Sequence, residues 1–240
     1  MRILAIGNSF SNDAARYLSE SAKRMGIYIE TANLMIGGCP LEWHYQNMLS
    51  DAKKYSLEFN GITTGFFVSL SDALLYSHWD VITIQQVSHQ APFYNTYVPY
   101  INELAAYIRK CAPKAKLIIH QTWAYEEGSN RLVNELKFEK SADMLEKIVE
   151  SYDRAAKEIG ADGIIRSGEM MYKLSVSGIE KVHRDTFHAS FGAARYALAL
   201  LWLRTLCKVN VTGNTFNDFD VPVTDEEKKI VWSVVDSFEV

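Results

Sequence analysis

Three side chains from opposite ends of the chain could together perform acyl transfer. Ser9 follows an apolar segment, residues 2–6, and a glycine, Gly7, that permits a tight turn. Asp185 and His188 are three positions apart, so the carboxylate can accept a hydrogen bond from imidazole Nδ1 and leave Nε2 facing a nucleophile. A serine hydroxyl needs such a base to attack a carbonyl at neutral pH. We therefore predict that Ser9 is the nucleophile, His188 the base and Asp185 the group that orients the base.

Each of these residues also has a purely structural interpretation. Ser9 stands where a strand turns into a helix, a place where serine often caps the helix, although Ser11 can fill that role instead. Asp185 and His188 by themselves fit a surface hydrogen bond or the start of the next helix. The prediction of a triad therefore depends on all three residues occurring in one chain.

Acyl transfer also needs hydrogen-bond donors for the negative charge that develops on the carbonyl oxygen. The candidates are the backbone N–H of Ser9, the backbone N–H of Gly38, which has no side chain in the way, and the side-chain amide of Gln86. Gly37 competes with Gly38 for this role, and Gln85 competes with Gln86.

The pattern of apolar residues predicts the elements that must position these groups. Short apolar segments alternate with longer amphipathic ones, which is typical of strands joined by crossover helices in a mostly parallel sheet. Because there is no linker and no repeat, we predict one α/β domain over residues 1–240, with a possible small hairpin near 55–70 around Asn60-Gly61. The predicted strands are 2–6, 28–35, 81–84, 116–119 and 163–165, and the predicted helices are 13–24, 98–111, 140–159, 191–207 and 225–235.

The predicted strands end in polar segments. In an open parallel sheet, ligands bind beyond the carboxyl ends of the strands, so these segments are expected to meet at one site. Aromatic and histidine side chains on them favour a flat ligand such as a sugar. The predicted substrate-binding residues are Trp43, His44, His89, Trp123 and Tyr125. His89 is also an alternative base.

Composition excludes several classes of partner. The chain has 240 residues, 48% hydrophobic, and a net charge of −4, so we expect neither nucleic acid nor an anionic membrane surface as a partner. The longest apolar run, residues 196–203, is too short to cross a bilayer. The six histidines lack the spacing of a metal site, and phosphate-binding loops are absent, so no metal and no cofactor are expected.

The cysteines and the first residues bear on the compartment. Three widely spaced cysteines do not suggest a disulfide framework. The strand pattern begins at once, so we expect a cytoplasmic protein as the sequence stands, or a periplasmic or secreted one if a leader has been removed.

With Gly7-Asn8-Ser9-Phe10-Ser11, Gly38, Asp185 and His188, the chain resembles the SGNH, or GDSL-type, hydrolase superfamily over nearly its whole length. The resemblance is specifically to a branch of bacterial domains with this first block. It implies a three-layer α/β/α sandwich with a central, mostly parallel sheet of about five strands, flavodoxin-like in order. The third block departs from the family pattern, because Gln85-Gln86 stands where an asparagine is usual.

Because the superfamily includes carbohydrate acetylesterases, the resemblance implies an acylated glycan as substrate. The resulting prediction is a metal-independent serine esterase that removes acyl, most simply acetyl, groups from a carbohydrate. Two alternatives stay open. One is an intracellular hydrolase of small acyl esters or thioesters, and the other is a catalytically weak sugar-binding protein on the same fold. The sequence predicts no oligomeric state.

Overall fold

The computed structural model describes residues 1–239, which fold around a seven-stranded sheet with the order β4-β3-β2-β1-β5-β6-β7. Five strands run parallel, in the doubly wound order 2-1-3-4-5, and β3 and β4 run antiparallel at one edge. The predicted α/β sandwich is therefore confirmed, with two more strands than expected. The strands are β1 (Arg2–Gly7), β2 (Glu30–Met35), β3 (Tyr55–Phe59), β4 (Ile62–Val68), β5 (Val81–Ile84), β6 (Lys116–His120) and β7 (Gly163–Ile165).

Helices flank the sheet in two groups, one around α8 and one around α5. The helices are α1 (Ser9–Ala15), α2 (Leu18–Lys23), α3 (Leu41–Ser50), α4 (Leu70–Tyr76), α5 (Tyr100–Cys111), α6 (Ser141–Ile159), α7 (Ser167–Ser175), α8 (Ala193–Cys207) and α9 (Asp225–Asp236). The predicted helix over 13–24 is instead two short helices, the first starting at Ser9. Helices α3, α4 and α7 were not predicted.

Helix α8 explains the late apolar run. Every residue from Ala193 to Leu203 is buried, because α8 packs against α1 and α2 on one side and α7 and α9 on the other. A helix that is apolar all round belongs in the interior. None of the helices within residues 1–239 combines the length and the apolarity that a bilayer crossing requires.

The hairpin of β3 and β4 accounts for the two extra strands. It turns at Asn60 and Gly61, whose φ angles of 49° and 77° fit a type I′ turn. The Asn60 side-chain oxygen fixes this turn to the domain by accepting hydrogen bonds from the Ser19 hydroxyl at 2.8 Å and the Thr31 N–H at 2.9 Å. Strand β4 is the edge of the sheet, and six of its seven residues are exposed.

Candidate active site

Ser9, His188 and Asp185 lie in hydrogen-bond contact. Ser9 Oγ is 2.7 Å from His188 Nε2, and His188 Nδ1 is 2.8 Å from Asp185 Oδ2. The other oxygen of Asp185 accepts the backbone N–H of His188 at 2.9 Å, so the carboxylate holds both the ring and its backbone. With Nδ1 donating to Asp185, Nε2 is the free acceptor for the serine hydroxyl proton. The structure thus brings together the three residues of the predicted triad.

The Asp185 carboxylate is suited to stay ionised. Burial raises its pKa, but hydrogen bonds from the side chain and the backbone of His188 outweigh burial and hold the pKa below its usual value. A negative charge at this position stabilises the imidazolium that forms when His188 accepts a proton.

Ser9 reaches His188 because β1 turns into α1 within one residue. Asn8 is the N-cap of α1, and its side-chain oxygen accepts the N–H of Phe10 at 3.0 Å, so Ser9 is not the capping residue. A side chain at Gly7 would lie 2.6 Å from Ser11 Oγ, which is why the turn needs glycine there. The Ser9 N–H belongs to the first turn of α1, where backbone N–H groups have no partner within the helix.

The turn after β2 lies beside this helix start. Asn8 Nδ2 donates to the carbonyl oxygen of Cys39 at 3.2 Å, which ties the turn to the residue before Ser9. Gly38 is exposed in this turn and has a φ of +63°, a conformation that favours glycine. The φ of Gly37 is not in this left-handed region, so its backbone conformation does not call for glycine.

The structure corrects the predicted oxyanion role of Gln86. Its amide group is buried, and Nε2 donates to the carbonyl and hydroxyl oxygens of Thr96 at 3.0 and 3.1 Å. Its Oε1 accepts the N–H of Leu41 at 2.9 Å. The side chain therefore fastens the start of α3 to the loop after β5 and leaves no amide hydrogen for an oxyanion.

Gln85, the alternative to Gln86, is buried and holds neighbouring side chains. Its Nε2 donates to Asn8 Oδ1 at 2.8 Å, and its Oε1 lies 2.7 Å from His120 Nδ1. His120 Nε2 in turn lies 3.1 Å from Ser167 Oγ. Burial lowers the pKa of His120 to about 3, so the ring is neutral, with Nδ1 as its donor. Asn8, Gln85, His120 and Ser167 form one buried chain of hydrogen bonds that crosses the carboxyl ends of β1, β5, β6 and β7.

Three of the five predicted substrate-binding residues are buried. His44 lies on α3, which was predicted as a loop, and its ring stacks on Tyr55 at 5.6 Å between centroids. Trp123 stacks on Phe10 at 4.0 Å and donates its indole N–H to the carbonyl of Phe187 at 2.7 Å. Both side chains are packed in the protein interior and do not face a ligand.

The other three predicted substrate-binding residues are Tyr125, Trp43 and His89. The Tyr125 hydroxyl is buried 3.0 Å from Ser88 Oγ. Trp43 and His89 are exposed. Desolvation of the imidazole, followed by the charge of Arg131, lowers the pKa of His89. The base in contact with Ser9 is His188, not the alternative His89.

An ion-pair cluster that the sequence analysis missed joins the two parts of the triad. Asp13 on α1 is fully buried and accepts hydrogen bonds from Arg184, Arg195 and the N–H of Ala189. Arg195 also binds Asp220 at 2.8 Å. The sequence offered one signal for this cluster: Asp13 lies four residues after Ser9, and Arg184 directly precedes Asp185. Among residues 1–239, no three His, Cys, Asp or Glu side chains cluster in a way that would hold a metal ion.

A family model described as a domain of unknown function, DUF4886, matches residues 2–230. No curated protein matches the chain. A crystal structure of a DUF4886 family protein from Bacteroides uniformis ATCC 8492 is 32% identical, with a TM-score of 0.91, over 98% of this chain and 93% of that chain.

Two more distant structures share the fold. A candidate SGNH hydrolase from Slackia heliotrinireducens is 23% identical, with a TM-score of 0.61, over 86% of this chain and 98% of that chain. A variant of an acetyl xylan esterase from Geobacillus stearothermophilus is 14% identical, with a TM-score of 0.53, over 85% and 93% of the two chains. The architecture is that of SGNH hydrolases.

Proposed function

Since the chain belongs to the DUF4886 family and has the fold of SGNH hydrolases, we propose that it is a serine esterase. The observation that carries this proposal is the contact of 2.7 Å between Ser9 Oγ and His188 Nε2, with Asp185 behind the imidazole. A helix-capping serine or a surface histidine would not need this arrangement.

The mechanism follows from the positions of the donors and acceptors. Ser9 Oγ attacks the ester carbonyl while its proton moves to His188 Nε2, and the ester C–O bond then breaks as His188 protonates the leaving alcohol. The backbone N–H groups of Ser9 and Gly38 stabilise the oxyanion. A water molecule, deprotonated by His188, releases the acid and restores Ser9. No step requires a metal ion, because His188 and Asp185 supply the activation.

The proposed substrate is an O-acetylated carbohydrate. Trp43 lies in the first turn of α3, which starts three residues after Gly38, and 51% of its surface is exposed. An exposed indole beside an ester-binding turn offers a flat face to a sugar ring. One structural relative is named as an acetyl xylan esterase, which agrees with this substrate class.

The experiment is labelling of the folded protein with a fluorophosphonate, read by intact mass and peptide mapping, alongside hydrolysis of acetylated sugars. We expect one label on Ser9 and none on the Ser9→Ala variant. Ser11→Ala is the matched control, because Ser11 lies two residues away and its hydroxyl donates to the carbonyl of Asn8. Failure of Ser9 to label, together with no hydrolysis of acetyl esters, would instead favour the sugar-binding alternative.

A further inference from the structure

A cationic side chain covers the outer side of the loop that carries His188. The Arg131 guanidinium lies 4.0 Å from the centroid of the Phe187 ring, and the Phe187 and His188 rings are 4.0 Å apart between centroids. His188 in turn is 2.7 Å from Ser9 Oγ. Three consecutive contacts therefore link Arg131 to the nucleophile, which keeps the guanidinium within reach of a mono- or disaccharide bound at Ser9.

The charge of Arg131 is not matched by a carboxylate of the protein. Among residues 1–239, no Asp or Glu oxygen lies within 4.0 Å of its side-chain nitrogens. The nearby acids are otherwise engaged, since Glu135 accepts from Asn130 at 3.2 Å and Asp185 holds His188. Arg166, Arg184, Arg195 and Arg204 pair with carboxylates, whereas Arg24, Arg109 and Arg154, like Arg131, have no carboxylate within this distance among residues 1–239. What distinguishes Arg131 is its contact with Phe187, the residue next to His188.

The local backbone also sets Arg131 apart. It is the first residue of a π-helical turn, Arg131–Glu135, between β6 and α6. Such turns are rare and occur often at functional sites. The side chain is exposed and its guanidinium carbon lies 4.0 Å from the centroid of the Phe187 ring, so an acceptor in solvent can reach the guanidinium N–H groups.

The geometry points to a carboxylate-binding subsite at Arg131, which would make the substrate an O-acetylated acidic sugar. This inference rests on the proposed esterase function. The guanidinium fork binds a carboxylate through two parallel hydrogen bonds, and the Phe187 ring fixes its plane. Desolvation and the charge of Arg131 lower the pKa of His89, which favours the neutral imidazole beside the guanidinium.

The experiment compares matched monoacetates of glucuronic acid and of glucose, which differ in a carboxylate at one carbon. We expect the wild-type protein to prefer the acidic sugar in kcat/KM by about 10- to 100-fold, mainly through KM, and less so at high salt. In the Arg131→Gln variant this ratio should fall toward one. Arg154→Gln is the matched control, because Arg154 lies 3.8 Å from the Tyr94 ring, which contacts Tyr97, and should keep the ratio.

The outcomes separate the inference from the esterase proposal. Equal hydrolysis of the two sugars by the wild-type protein would overturn the subsite and leave the esterase standing. A parallel loss on both sugars in Arg131→Gln would mean that Arg131 only supports Phe187, which also overturns the subsite. No hydrolysis of either sugar, together with no labelling of Ser9, would overturn both proposals.

Discussion

The Arg184 guanidinium lies 2.8 Å from the buried carboxylate of Asp13, and this pair ties the loop of His188 to the helix of Ser9. The two side chains are 171 positions apart in sequence. The Ala189 N–H also donates to Asp13 at 3.2 Å, so the carboxylate holds the loop on both sides of Asp185 and His188. The distance between nucleophile and base is thus set by a carboxylate outside the triad.

Replacing Arg184 with Gln should loosen this loop. Without Arg184 the buried negative charge of Asp13 is paired only with Arg195. We therefore expect the free energy of unfolding to fall by up to about 3 kcal/mol. The rate constant kcat should fall about tenfold or more as His188 moves away from Ser9. Arg204→Gln is the control. Arg204, near the end of α8, forms a largely buried pair with Asp236, the last residue of α9, and this substitution breaks that pair. If urea titrations and kinetics show the same fall in kcat for both variants, Arg184 has no positioning role.

Asp185→Asn should lower kcat by about 10² to 10⁴ with little change in KM. An amide has no negative charge and so cannot stabilise the imidazolium. Its NH₂ group is a donor, and it cannot accept the Nδ1 proton of His188 as the carboxylate does. Circular dichroism should show an intact fold, because 45% of the Asp185 side chain is exposed. A kcat within threefold of the wild-type value, by contrast, would remove Asp185 from the mechanism.

Asn8 links the start of α1 to the Gly38 turn and to Gln85. In Asn8→Ala we expect a loss of about 1 kcal/mol in stability from the missing N-cap, as well as a lower kcat because the turn is no longer held beside Ser9. Ser69→Ala tests the first effect alone, since Ser69 caps α4 with a capping box. Thermal unfolding should show a larger loss for Asn8→Ala, because this variant also removes the buried bonds to Gln85 and Cys39, and steady-state kinetics should show a lower kcat for Asn8→Ala alone. Unchanged kcat in Asn8→Ala would show that the bond to Cys39 does not position the turn.

Buried neutral histidines should make the fold sensitive to acid. Burial lowers the pKa of His44 and of His120 to about 3, whereas both titrate near 6.5 in the unfolded chain. Below pH 6.5 the unfolded state therefore binds protons that the folded state does not. The free energy of unfolding should consequently fall by about 1.4 kcal/mol per pH unit for each of them down to pH 3.

Urea titrations at pH 7 and pH 5 measure this dependence. His44→Phe should reduce the change between the two pH values, because it removes one of the buried histidines whose pKa is lowered; His120 and His183, with pKa values of about 3 and about 4, remain. The substitution keeps the stacking on Tyr55, and His44 Nε2 has no hydrogen-bond partner in the described part of the chain. His78→Gln is the control, since the His78 side chain is 65% exposed. The same pH dependence in His44→Phe as in the wild-type protein would show that the pKa of His44 is not lowered in the folded state.

The edge strand β4 should govern aggregation. It has no charged residue, and Phe66 and Phe67 are 70% and 63% exposed. Charges on an edge strand discourage pairing with other chains, so Phe66→Lys should slow the growth of light scattering near the unfolding temperature without changing kcat. Tyr76→Lys, which adds the same charge at the end of α4, should have a smaller effect. Equal protection by both variants would point to net charge alone.

The sequence was a good guide to the fold because the five parallel strands are short, mostly apolar segments that end in polar residues. It was a poorer guide to short elements. Helix α3 is a short helix with polar residues between its buried positions, so its pattern does not predict a helix, and His44 was consequently placed on a loop. The hairpin turn at Asn60-Gly61 has an explicit local signal, whereas the edge position of β4 depends on the whole sheet.

At the site, the sequence pointed to Ser9, Asp185 and His188 because their chemistry is specific. It was wrong about Gln86 because the partners of an amide are set by tertiary structure. Leu41 is 45 positions from Gln86 and Thr96 is 10 positions from it, and no local sequence pattern predicts either contact. Asp13 and Arg184 were missed for the same reason, since a buried ion pair looks like two ordinary charges in a sequence.

The contact between Ser9 and His188 spans 179 positions, with the serine after the first strand and the histidine after the last. A growing polypeptide on the ribosome therefore carries its nucleophile for 179 residues of synthesis before its base is added. A chain without that base has a serine that is chemically ordinary, and reactivity appears only when the segment that carries His188 docks against α1. The return of esterase activity after dilution from denaturant should accordingly report the slowest long-range step of folding rather than the formation of local structure.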